Sequence, residues 1–548
     1  MKPSVAEHFR HACHTTPVPT LIDELADLHP DQPIVSIPCD NHDVSAGYRD
    51  VTYGEFARAV NCAAWWIVET LGSASSSFAA LHYVAPQDLS YMVFALAVVK
   101  TGYITLTCHP AAGLDTHISL IEKTNCQYLL HPAPGFPKAK TILSAKPHLK
   151  AIMTPTLDFW LSEPNTPQVY PYPKTLSEVL TTPFAAIHTS ATTGAAKPII
   201  MTHATLNQQA PMYLDAEDTG RVNFAHWRDQ RVAFLAPMTI AAGFYTLFGL
   251  NMIYNLTIVL PVFGPGPVTA SVTDGIIAHG NVTSVIVSPK YLRDTCANQS
   301  YLNRLRTLSH LVVVGAPCPL DIGPILRRYV PITYIYGSSE ANVFPIHLTN
   351  DPGDWAYLKL DPVVPYEFRP VWREYHELVI HRSESDRGQS AFYMFPDMDE
   401  YPMKDLFRRH PDPQKVGLWR YCGRVEDLTE SESVGRFLPR DMEVVIESCE
   451  GVKGAVVCEE RGGGMPVFVE VDENAFADER EVLLERIWQW VEQANNISPV
   501  KGYIWRSSVI FVNRQRPLPR GVKGYPQRGV SKSLYRREIE EAYRTFGC

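Results

Sequence analysis

An excess of positive charge is the first thing this chain lacks. Its 548 residues carry 49 Lys and Arg against 58 Asp and Glu, a formal charge of −9. No basic surplus exists to neutralise the phosphates of a nucleic acid, so nucleic acid is excluded as the main partner. A locally basic site for a small anion stays open. Cysteine is sparse too: 11 residues scattered from Cys13 to Cys548, with no C-x-x-C pair and no Cys/His spacing suited to zinc. They read as reduced, mostly buried thiols of a cytoplasmic protein. Long hydrophobic runs are also missing, and Met1–Pro19 lacks the apolar stretch of a signal peptide. The segment Val232–Thr273 has no Asp, Glu, Lys or Arg. Pro237, Gly243, Gly249, Asn251, Asn255 and Pro261 nevertheless cut it into pieces shorter than the ~20 apolar residues of a membrane span. It reads as a buried helix followed by a buried strand, in a soluble chain with no membrane partner.

What is there is ordinary globular protein. Hydrophobic residues make up 45% and charged residues 20%, close to the usual mix, and the length implies two or more domains. Short apolar runs such as Phe184–Thr189, Leu311–Val314 and Ile332–Ile335 end abruptly in Gly- or Ser-containing loops. Each is followed by helix-like periodicity, the pattern of strands buried between helices in an α/β domain. The C-terminal part differs. Strand candidates Gly454–Cys458, Val467–Val471 and Ser508–Val512 surround a helix with Leu484, Ile487, Trp488 and Val491 on one face. A last helix carries Tyr535, Ile539, Ala542 and Phe546. The expected architecture is a large α/β domain over 1–423 and a small, mobile α+β domain over 424–548. No internal repeat is present, and Ser73–Ser77 is the only low-complexity patch.

Four segments carry chemistry. Thr189-Ser190-Ala191-Thr192-Thr193-Gly194-Ala195-Ala196-Lys197-Pro198 comes directly after a predicted strand. Its hydroxyls and backbone N–H groups can wrap nucleotide phosphates while Lys197 neutralises charge. It is not a Walker A loop, and a solvated polar loop is the plainer alternative. Tyr336-Gly337-Ser338-Ser339-Glu340 succeeds the strand at Ile332–Ile335. There Gly337 permits close backbone approach and Glu340 can hold Mg²⁺. An acid at a helix N-terminus behind a Ser cap would look the same. Lys404-Asp405-Leu406 and Cys422-Gly423-Arg424-Val425-Glu426-Asp427 come third. An Asp can accept both ribose hydroxyls and an Arg can pair with ribose or phosphate oxygens, although singly each could be surface charge. Fourth is Arg520-Gly521-Val522-Lys523-Gly524-Tyr525, a lysine between glycines that can be delivered to a charged site.

In that order, these segments resemble the adenylate-forming superfamily of acyl-CoA synthetases, peptide-synthetase adenylation domains and luciferases. The narrower likeness is to fungal peptide-synthetase-like enzymes of secondary metabolism, including the carboxylic acid reductases. It is carried by Lys197-Pro198, by Lys404-Asp405-Leu406-Phe407, and by Lys100–Tyr103 and His117–Leu130. The resemblance implies a ligase that uses ATP and Mg²⁺ to convert a carboxylic acid to its acyl-AMP. Thr189, Ser190, Thr192, Thr193, Gly194 and Lys197 would hold the phosphates. Gly315, Ala316, Pro317, Tyr336, Gly337, Ser338 and Ser339 would line the nucleotide site, with Glu340 on the metal. Asp405 would take the ribose, with Arg424 beside it, and Lys523 would bridge carboxylate and α-phosphate. Glu426 or Asp427 would be the pivot of the small domain. The acyl pocket would include Ile240, Ala241, Gly243 and Phe244.

Several positions depart from the family pattern. Ala191 and Ala196 stand where Gly and Pro are usual, Ile240 where a His is often found, and Ser431–Pro439 lacks the usual Gly-Glu. A catalytically degenerate fold serving as a binding or docking module is therefore the alternative reading. No acidic residue occurs from Gln230 to Thr273, so a buried substrate ammonium would find no carboxylate there. The expected acid is aryl, keto or short aliphatic, without a free α-amine. CoA or the phosphopantetheine of a carrier protein would be the thiol acceptor. The sequence contains no carrier-protein serine motif and no dinucleotide fingerprint, which leaves a free-standing ligase or a piece of a longer protein.

Overall fold

Runs of β-branched and aromatic residues form the strands, and helices cover their faces. In the computed structural model these features are described for residues 3–74, 78–110, 112–132, 136–162, 167–189, 196–207, 209–217, 222–262, 268–349, 351–383, 389–472, 480–520 and 526–545. One sheet runs in the order Ile332–Ile335, His310–Val314, Ser284–Val287, Arg231–Phe234, Thr257–Val259, Pro33–Pro38, Tyr48–Thr52, parallel except for the last pair. A second runs Lys150–Thr154, Tyr128–Pro132, Ala80–Tyr83, Ile104–Leu106, Pro183–Thr189, Lys197–Thr202, again parallel except for the last pair. A third is antiparallel: Tyr366–Trp372, Tyr375–His381, Glu400–Arg409, Trp419–Arg424. A continuous hydrophobic core joins residues from Val5 to Trp419. Within it Lys100 is buried yet paired, its Nζ donating to Asp23 Oδ2 at 2.5 Å and Asn61 Oδ1 at 2.7 Å, as a buried charge requires.

A separate core, from Phe437 to Val509, belongs to the C-terminal part. There the helix Arg480–Asn496 turns Leu484, Ile487 and Val491 inward against the sheet Val452–Val457, Val467–Val471, Val509–Phe511. The expected last helix is two, Arg528–Leu534 and Arg536–Thr545, with buried Tyr535 at the joint. Phe546 lies outside the described residues. Among the described residues no helix is long and apolar enough to cross a membrane.

The helix expected after each strand fails at two places that matter. Beyond Thr189 the chain returns as an antiparallel strand, Lys197–Thr202, with Lys197 in register opposite Thr189. Pro198 is tolerated there because the strand forms the sheet's edge. Beyond Ile335 it forms a tight hairpin, Gly337–Ser338 against Asn342–Val343, with Asn342 at φ +71°. Asn is among the residues that accept this left-handed turn. The uncharged stretch Val232–Thr273 does hold a buried helix and strand, Ala241–Tyr254 and Thr257–Val259. The helix carries a π-helical turn at Thr246–Leu250, and the strand Arg231–Phe234 precedes it.

Candidate active site

Asp405 sits on the strand Glu400–Arg409, directly opposite Arg424 on its neighbour. Lys404 just before it takes φ +59°, a local irregularity that re-aims the strand. Asp405 is 7% exposed. Tyr336 donates its hydroxyl to Asp405 Oδ2 at 2.9 Å, and Arg424 Nε lies 3.1 Å from Oδ1. Arg424 Nε also donates to Lys404 O at 3.2 Å. Burial raises the Tyr336 pKa well above its ordinary value, and the Asp405 charge adds to this. The phenol is thus a fixed donor. Phe407 meets the Tyr336 ring edge-on at 5.5 Å.

Gly337 needs to be glycine. A Cβ there would lie 1.9 Å from Asn342 O. The hairpin is closed by Ser338 Oγ, which accepts from Ala341 N at 3.0 Å. Tyr245, from the helix Ala241–Tyr254, donates to Ser339 O at 3.4 Å. Burial raises the pKa of both Tyr245 and Tyr401, and the charge of Glu340 raises each further. Glu340 therefore lies within electrostatic reach of that helix and of the Asp405 strand. Gly315, at φ +87°, turns the chain at the end of the strand His310–Val314 into Ala316 and Pro317.

Of the phosphate-loop residues, Ser190, Thr192, Thr193 and Gly194 lie outside the described residues, as does Lys523. The ends of that loop are defined. Lys197 is exposed. The buried Ala196 offers its carbonyl to Ser119 Oγ at 3.0 Å and to Lys123 Nζ at 2.6 Å. Neither side chain stands in the four chemistry-bearing segments, although both fall within His117–Leu130. Their local sequence signal is an i, i+4 spacing on the helix Leu114–Lys123, which puts them on one face.

In the acyl segment, Ile240 caps the helix Ala241–Tyr254 and is partly exposed, whereas Ala241, Gly243 and Phe244 are buried. A Cβ on Gly243 would lie 2.5 Å from Met238 O, so glycine lets the turn fold back on itself. Phe244 packs into the core, with Phe248 at 5.7 Å and Phe184 at 6.5 Å. At the junction of the large and small parts, Arg424 N donates to Asp427 Oδ2 at 2.9 Å and closes the turn Val425–Asp427. Glu426 is exposed.

This geometry invites comparison with known proteins. An AMP-binding enzyme model matches residues 22–366, and an AMP-binding enzyme C-terminal domain model matches 429–547. The chain belongs to the AMP-binding enzyme family. That places it among adenylate-forming enzymes. It is 26% identical over 536 residues to a carboxylic acid reductase of Neurospora crassa, covering 95% of this chain and 50% of the relative. It is 26% identical over 541 residues to the isocyanide synthase-NRPS hybrid crmA of Aspergillus fumigatus, covering 96% and 33%. The chain thus spans a third to a half of the length of these curated relatives. Among solved structures, it resembles a benzoate CoA ligase from Burkholderia xenovorans LB400 with a TM-score of 0.69 at 16% identity, over 94% of this chain and 99% of that one. The O-succinylbenzoate coenzyme A synthetase of Bacillus subtilis, in complex with ATP and magnesium ion, gives a TM-score of 0.69 at 15% identity, over 94% and 100%. At these identities the likeness is one of fold.

Proposed function

We propose that this chain activates a carboxylic acid as its acyl-AMP and passes the acyl group to the thiol of CoA or of a carrier protein's phosphopantetheine. In the first half-reaction a carboxylate oxygen attacks the α-phosphorus of ATP, the bond to the β-phosphate oxygen breaks, and pyrophosphate leaves. Such a step needs alignment and charge neutralisation rather than a protein nucleophile. In the second, the thiol attacks the acyl carbon and AMP departs.

The observation that carries this reading is the buried Asp405 carboxylate, set between the Tyr336 hydroxyl and the Arg424 guanidinium at the end of the segment Tyr336–Ser339. A buried carboxylate is an acceptor to which both hydroxyls of a ribose diol can donate. Gly315, Ala316, Pro317 and Tyr336–Ser339 then line the nucleotide, and Lys197 and Lys523 supply positive charge. Glu340, a carboxylate on a hairpin beside the Asp405 strand, fits a hard cation such as Mg²⁺, which would neutralise phosphate charge when bound. The division falls at 423/424, and the small domain turns about Asp427 or Glu426 between the half-reactions.

The acid lacks a free α-amine. Partly exposed Ile240 and Ala242 and buried Ala241, Gly243 and Phe244 offer an apolar setting with no carboxylate on that segment. An ATP–pyrophosphate exchange panel tests both claims. Exchange is expected with aryl, keto or short aliphatic acids. An α-amino acid that outperforms all of them refutes the substrate class, and no exchange with any acid favours a docking module instead.

A further inference from the structure

Two hydrogen bonds cross between the parallel sheets beside Ile240. Gln87 lies in the loop after the strand Ala80–Tyr83, and Thr107 lies just beyond the adjacent parallel strand Ile104–Leu106. Both reach the segment beyond Arg231–Phe234 in the other sheet. Gln87 Oε1 accepts from Met238 N at 2.7 Å, and Thr107 Oγ1 donates to Thr239 O at 3.1 Å. The carboxyl ends of parallel strands are where α/β folds bind ligands.

The bond to Met238 decides which way the Gln87 amide faces. A backbone N–H needs an acceptor, so the oxygen must face Met238 and the –NH₂ group must face away. Gln87 is 8% exposed. Among the described residues nothing accepts from its Nε2, and that nitrogen is not an enclosed orphan. Two N–H donors on a nitrogen that is not fully enclosed are therefore left for a ligand beside the Met238–Ile240 segment, where the Ile240 side chain offers no donor of its own. Asp88, one residue on, uses its Oδ1 to accept from Ser90 N at 2.8 Å at the start of the helix Ser90–Lys100.

We propose that Gln87 orients the acid: its Oε1 holds the Met238–Ile240 segment in place, and its Nε2 donates to an oxygen of the substrate carboxylate. The inference rests on the reading of this segment as the acyl site. A neutral amide suits the role, because the oxygen it contacts loses charge as the carboxylate becomes an acyl phosphate. A cation that touched this oxygen alone would favour the bound substrate more than the transition state, unlike Lys523, which would also meet the α-phosphate. Thr107 acts as a positioning residue through Thr239.

The test compares wild type with Gln87→Glu and Gln87→Met in ATP–pyrophosphate exchange, using the best acid of the panel, with melting temperatures measured alongside. Gln87→Glu keeps an acceptor for Met238 N and removes the donor. It should raise KM for the acid about 10-fold or more while KM for ATP and the melting temperature stay at the wild-type values. Gln87→Met should raise the acid KM at least as far. An acid KM within twofold of wild type in Gln87→Glu overturns the proposal. So does a rise matched by ATP KM, or one seen only where the melting temperature has fallen, since these mark a merely structural role. A wild-type chain inert toward every acid sinks the functional reading and this inference with it. That outcome is distinct from an active wild type with an unchanged variant, which sinks the inference alone.

Discussion

Replacing Asp405 by Asn probes the proposed nucleotide site with little change of shape. In the wild-type chain the carboxylate takes the Tyr336 hydroxyl at 2.9 Å and lies 3.1 Å from Arg424 Nε. Tyr336 can still donate to an amide oxygen, so that bond weakens without being lost. The Arg424 side chain is 40% exposed, so the lost ion pair is screened by water and costs the fold about 1 kcal/mol or less. A bound ribose suffers more. The amide has one acceptor oxygen for the two diol hydroxyls, and its –NH₂ group opposes the second. Hydrogen bonds to a charged group contribute about 1.5–3 kcal/mol each, which corresponds to a loss of AMP affinity of about 10- to 150-fold. Titration calorimetry with AMP reads the affinity, and a thermal melt shows whether the fold is intact. A variant with a wild-type melting temperature and an AMP Kd within twofold of wild type would refute the assignment of Asp405 to the ribose.

Lys523→Ala is expected to slow adenylation by on the order of 10²–10³-fold, the usual effect of removing one electrostatic stabiliser. Thioester formation from preformed acyl-AMP should be largely spared, and equal loss of both half-reactions speaks against the assigned role. Acid should weaken the fold through a buried histidine pair, His82 Nε2 and His117 Nδ1 at 3.0 Å. Burial is the first cause that depresses both, to about 4 and about 3, while His188 lowers both and Lys138 and His82 further lower His117. The unfolded chain therefore takes up protons below its own histidine pKa of ~6.5 that the fold refuses, and stability falls as pH drops from there toward 4. The loss is on the order of 3 kcal/mol for His82 by pH 4. Urea midpoints at pH 7 and pH 5 measure it, and His117→Gln should flatten the slope.

Much of the fold is legible in burial patterns. Ile332–Ile335 and Val467–Val471 coincide with their expected bounds, because short runs rich in apolar and β-branched residues suit largely buried strands even where a Thr or a paired Glu interrupts them. The connection leaving each strand is less legible. The returning strand Lys197–Thr202 contains a proline, which argues against a central strand and says nothing about an edge. The hairpin after Tyr336 depends on a contact with Asn342, five residues beyond Gly337, and on a left-handed Asn. The site divides in the same way. Asp405, Arg424, Tyr336 and Glu340 stand in recognisable segments. Gln87, Thr107, Ser119 and Lys123 are single polar residues whose partners lie 73 to 151 positions away. No local pattern encodes such a partnership.

The turn after Arg424 bears on which acid would serve as the proposed pivot. Glu426 is exposed, whereas Asp427 accepts the backbone N–H of Arg424 at 2.9 Å and closes the turn. Desolvation raises the Asp427 pKa, and nearby Arg528 opposes that rise. Arg528 is itself tied to Glu443 at 2.7 Å and to Val457 O at 2.8 Å in the C-terminal part. Asp427 thus feels both sides of the seam. On one side it is one hydrogen bond from the residue whose guanidinium lies beside Asp405, and on the other it is within electrostatic reach of the partly buried Arg528 in the C-terminal part. A rotation that changes the backbone at Asp427 must break or carry along its bond to Arg424, and so it pulls on the Arg424–Asp405 pair. If the position of the small domain is to be sensed at the ribose, Asp427 is the residue placed to transmit it.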